Sequence, residues 1–66
     1  MLKSNLKKIM EEKGETIRGL AAKAGVSDRT ILSARGDDIA KCRLYTLEAI
    51  AKYLGCKVKD LFEEED

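Results

Sequence analysis

The chain has 66 residues, 13 Lys and Arg against 12 Asp and Glu, no His, no Pro and two Cys. That length makes one domain with a small core, of the kind that usually supplies only about 3–5 kcal/mol of stability. No apolar run approaches the ~18 residues needed to span a bilayer and no signal peptide is visible, so a cytoplasmic, reducing environment is expected.

Taken in chain order, Leu2, Leu6, Ile9 and Met10 predict one face of a first helix closed by Gly14. Lys3, Lys7, Lys8 and Lys13 lie off that stripe, where solvated helix charge belongs. Thr16 is a good N-cap for a second helix on which Ile17, Leu20, Ala21 and Ala24 fall at i, i+3, i+4 and i+7. Gly25 follows, able to take the left-handed conformation that ends a helix. Ser27 can then cap a third helix, about Asp28 to Arg35, which carries Ile31 and Ala34 inward and stops at Gly36. The small Ala21 permits close helix approach. Two short helices joined in this way are the grammar of a helix-turn-helix, whose second helix can lie in the major groove of DNA.

The linker GDDIAKCR comes next, with Ile39 as a core anchor. A fourth helix is predicted to bury Leu44, Leu47, Ile50, Ala51 and Leu54 before ending at Gly55. A last one or two turns hold Val58, Leu61 and Phe62 against the bundle. Cys56 stands where an apolar residue is expected, while the place of Cys42 stays open. The fold class expected is therefore all-α, a compact bundle of five short helices. Four acids, Glu63 to Asp66, close the chain. With these set aside, the first 62 residues carry thirteen bases against eight acids, a balance of +5. The default reading of that acidic tail is a frayed, solvated end, and the alternative is a partner contact or competition with DNA.

The segment LAAKAGVSDRTI resembles the Cro/XRE family of phage repressors and small bacterial regulators. LYTLEAIAKYLGCKVKDLF is similar to that family's fourth and fifth helices, so the resemblance covers about residues 3 to 62. It implies a lambda-repressor-like domain over residues 1–62, with its helix-turn-helix unit at 16–36 and an acidic tail at 63–66. The function implied is that of a sequence-specific, double-stranded DNA-binding transcriptional regulator of repressor type. The resemblance also implies that the start of the first helix can approach phosphate.

Carried over residue by residue, the family's base-reading positions are Asp28, Arg29, Leu32 and Ser33. Arg29 leads, because a guanidinium fork can bond G O6 and N7 together, the competing role being a phosphate contact or a surface salt bridge. Asp28 suits the positive end of a helix dipole, and alternatively accepts from a cytosine amino group or orients Arg29. Leu32 could meet a thymine methyl or widen the core stripe. Ser33 is short and would act through water. The expected phosphate contacts are Arg18, Ser27, Thr30, Arg35, Lys41, Arg43 and Tyr45. For Ser27 and Thr30 the competing role is capping and back-bonding, and for Tyr45 it is a half-buried flanking position. Lys41 and Arg43 flank the fourth helix's start, where backbone N–H groups can hold an anion.

Two departures stand against the transfer: Ile17 where many relatives have Gln, and Asp37 and Asp38 where relatives carry Lys, Arg or Asn. Pairing of these acids with Arg35 or Lys41 would reduce their repulsion of phosphate. The partner expected is double-stranded DNA, bound as a homodimer on half-sites, with Tyr53, Leu61 and Phe62 at the dimer face or in the core. No membrane, no cofactor, no metal and no small-molecule effector domain are expected. With no His, no activated Cys and no Gly-rich phosphate loop, an enzyme is not expected. The competing class is a protein-interaction module, antitoxin-like or adaptor, whose DNA face has weakened.

Overall fold

The computed structural model describes residues 2–65. Its order is β1 (Leu2–Ser4), α1 (Leu6–Lys13), α2 (Ile17–Ala24), α3 (Asp28–Arg35), a 3₁₀ turn (Asp37–Lys41), α4 (Leu44–Leu54), a second 3₁₀ turn (Val58–Asp60) and β2 (Phe62–Glu64). Helices dominate, yet the expected five-helix, all-α bundle needs correction. Among the described residues there are four α-helices, and the expected fifth is a single 3₁₀ turn in which the Asp60 carboxylate accepts the N–H of Lys57 at 3.0 Å.

The two ends of the chain meet in a small antiparallel sheet, with Leu2 opposite Glu64, Lys3 opposite Glu63 and Ser4 opposite Phe62. Leu2 thus belongs to a strand rather than to the first helix, which begins at Leu6. Glu63 and Glu64 are strand residues too, not a frayed tail. Glu65 lies 3.8 Å from Lys3, and Asp66, the last of the expected acidic tail, lies outside the described residues.

The core is a single cluster. Leu6 and Met10 from α1, Leu20 and Ala21 from α2, Ile31 and Ala34 from α3, and Leu47, Ile50, Ala51 and Leu54 from α4 meet Ile39 and Leu61. Cys56, Val58 and Phe62 pack against its edge. Leu61 is wholly buried, so its role is the core one.

Leu44 contradicts its expected burial, being 64% exposed, and Tyr45 beside it is equally exposed rather than half-buried. Leu44 shares the helical stripe of Leu47 and Ala51, but it is the first residue of α4. Spacing sets the direction of a side chain. It does not guarantee that a neighbouring element reaches far enough to cover it.

Candidate nucleic-acid interface

The helix-turn-helix unit is built by its caps. Thr16 accepts the N–H of Gly19 at 2.9 Å and starts α2. Gly25 ends that helix at φ +73°, and the Val26 N–H returns to the Ala21 carbonyl at 3.0 Å, closing the orphan carbonyl of the last turn. A side chain at Gly25 would be strained by that backbone angle, not by crowding. Ser27 then accepts the N–H of Thr30 at 3.2 Å and starts α3.

With Ile31 and Ala34 wholly buried, the opposite edge of α3 faces out. Asp28, Arg29 and Leu32 are exposed on it, and Ser33 is half-buried. Leu32 is 54% exposed, so it does not widen the core stripe. Asp28 lies 3.8 Å from the Nε of Arg18, whose side chain is 91% exposed. The two residues expected to face base and phosphate therefore pair with one another across the α2–α3 turn. Such an exposed pair contributes little to stability and exchanges readily for another partner.

Ser27 and Thr30 are joined by a 2.9 Å hydroxyl contact. This matches their capping role, and leaves each hydroxyl with reduced freedom to meet a phosphate.

Between α3 and the start of α4 lies a groove of about 350 Å³. It brings together Thr30, Ser33, Lys41, Arg43 and Tyr45 from the expected set, and adds Asp38, Cys42 and the buried Thr46. Tyr45 accepts from Arg43 Nη1 at 3.5 Å. Arg43 occupies the N-cap of α4. Among the described residues, the start of α4 has no capping side chain at its N-cap and no acid in its own first turn, a favourable setting for an anion. Asp38 meets Lys41 at 3.6 Å, so one of the two departing acids spends its charge inside the groove's own wall.

The Cys42 thiol sits in that wall, 3.7 Å from the Asp38 carbonyl. Burial, and secondarily the Asp38 charge, push its pKa up, which disfavours the thiolate. Nothing in the sequence pattern marked Cys42 or Thr46 as groove residues, because the 3₁₀ turn that places Cys42 has no hydrophobic period. Arg35 does not join the groove. It lines a separate concavity beside α1.

No helix among the described residues is long and apolar enough to cross a membrane. A search among curated proteins gave no match. The family model of the Cro/C1-type HTH DNA-binding domain matches residues 5–66, which take in every helix, the groove and the turn between α2 and α3. The chain therefore belongs to the Cro/C1-type helix-turn-helix DNA-binding family.

Proposed function

We propose that the protein is a sequence-specific transcriptional regulator of repressor type, which reads the major groove with α3. The observation that carries this reading is the pairing of two surfaces. The exposed edge of α3 offers Arg29, Asp28 and Leu32, and the adjoining groove offers Lys41, Arg43 and the uncapped start of α4. Contacts of the second kind fix register, while those of the first read bases. Operator occupancy would then block or reposition polymerase in the cytoplasm. A single short recognition helix reads few base pairs, so a homodimer on half-sites about one helical turn apart is proposed. Tyr53, 52% exposed on α4, is the strongest of the suspected interface residues.

Selection of bound sequences from a random duplex library tests the reading, followed by binding of the winner over a range of salt. Discrimination should relax in Arg29→Ala. Lys41→Ala should weaken all sequences alike and lower the salt slope by about one. Failure to enrich any motif, with weak binding even at low salt, would remove the DNA reading. A protein-interaction module is the second reading. It is favoured by the Asp38–Lys41 pair, which blunts the groove's charge, and by exposed Leu44 and Tyr45 at its edge.

A further inference from the structure

A second concavity, about 400 Å³, lies between β1, the start of α1 and the last residue of α3. Lys3, Lys7, Lys8 and Arg35 line it, against the carboxylates of Glu11 and Glu63. Four cations and two acids line it, and Glu65, 3.8 Å from Lys3, brings the local balance to +1. Lys7 and Lys8 form no ion pair among the described residues. Glu63 is engaged at the rim, where it accepts from Asn5 Nδ2 at 3.3 Å.

Arg35 supplies an independent observation. Its Nε is buried, yet has no hydrogen-bond partner among the described residues. A guanidinium donor removed from water without an acceptor is costly and rare in a native fold. The wall that holds it is tied down, since Ser4, also in the lining, donates to the Ala34 carbonyl and accepts the Leu6 N–H. The start of α1 adds to the field, for its N-cap residue Asn5 makes no side-chain cap and its first turn contains no acid.

We propose that this concavity is a phosphate-group site, separate from the groove at α4 and capable of holding the anion without a duplex. A local balance of +1, with Lys7 and Lys8 in no ion pair among the described residues, favours an anion, and a phosphomonoester and a backbone diester both present one. Arg35 and the two free lysines supply charge-assisted donors suited to its oxygens. Because Arg35 ends the helix that carries Arg29, an anion bound here sits on the same rigid element as the base-reading edge. The phosphate group can come from a small phosphorylated molecule or from the nucleic-acid backbone.

The test is an amide NMR titration of the full chain with inorganic phosphate at constant ionic strength, beside a second titration with the selected duplex. Saturable shifts at Ser4 to Lys8 and Arg35 are expected with inorganic phosphate. In the double variant Lys7→Gln, Lys8→Gln the affinity should fall about tenfold. Both positions are exposed, so the fold survives, and an unchanged melting curve verifies this. If only the duplex moves these amides, and the double variant lowers its salt slope, the site still takes phosphate but requires the backbone as its source. That result overturns the proposal of a site that holds the anion without a duplex. Shifts that never saturate, or none with either ligand, overturn the proposal. Since the phosphate arm needs no DNA, failure of the regulatory reading leaves this outcome legible.

Discussion

Ser4 Oγ donates to the carbonyl of Ala34, thirty residues away, and the same oxygen accepts the N–H of Leu6. One hydroxyl thereby binds β1, the first turn of α1 and the last turn of α3. Ser4→Ala strands both a part-buried acceptor and a helix-end donor, and should cost about 1–2 kcal/mol. Urea unfolding measures the loss, and faster hydrogen exchange in the last turn of α3 would localise it. A change below the experimental error would mean that water replaces the hydroxyl at both ends.

The exposure of Leu44 separates it from residues on the same stripe. Leu47→Ala and Ile50→Ala should each cost about 2–5 kcal/mol, a large share of the stability of so small a core. Leu44→Ala should stay within about 0.5 kcal/mol, as surface changes usually do. Chemical denaturation of the three variants decides the matter, and a Leu44 cost equal to that of Leu47 would show that a partner or second copy covers it.

Asp38 holds Lys41 at 3.6 Å beside the start of α4. Asp38→Asn should free the ammonium and remove a charge that repels phosphate, tightening duplex binding by about three- to tenfold at low salt. The gain should shrink as salt rises. Fluorescence anisotropy at several salt concentrations reads both effects, and weaker binding would assign Asp38 to orienting Lys41 rather than screening it.

Both cysteines carry raised pKa values. For Cys42 the causes are burial and then Asp38, and for Cys56 they are burial and then Asp60, opposed by Lys13. Folding therefore favours the protonated thiol. Its contribution to stability is complete below the unfolded thiol pKa, about 8.5, and is lost as pH rises above it through the folded value. Alkylation near pH 7.5 should accordingly be slower at both thiols than in the urea-unfolded chain. A faster rate at Cys42 would indicate an activated thiolate.

The helix-turn-helix unit was legible because its signals are local. Thr16, Gly25 and Ser27 announce helix ends through groups within a few residues of themselves, and the structure places each of them at its expected cap. Ile31 and Ala34 followed from helical spacing on a helix with a partner along its length. Leu44 and Tyr45 did not, because their exposure depends on where neighbouring elements stop. The candidate groove was half legible: Lys41, Cys42, Arg43, Tyr45 and Thr46 lie together in sequence, whereas Thr30 and Ser33 meet them only through the packing of α3 against the 3₁₀ turn.

The sequence by itself determined the helix-turn-helix, its caps, most of the apolar core and, through resemblance, the family to which the chain belongs. Tertiary structure alone decided that Leu2–Ser4 and Phe62–Glu64 pair as strands, that Arg18 meets Asp28, and that Arg35 joins lysines at the far end of the chain. The physical reason is range. Capping and amphipathic periodicity act over a few residues, whereas strand pairing and charge clustering between distant segments exist only after the core has brought the two ends together.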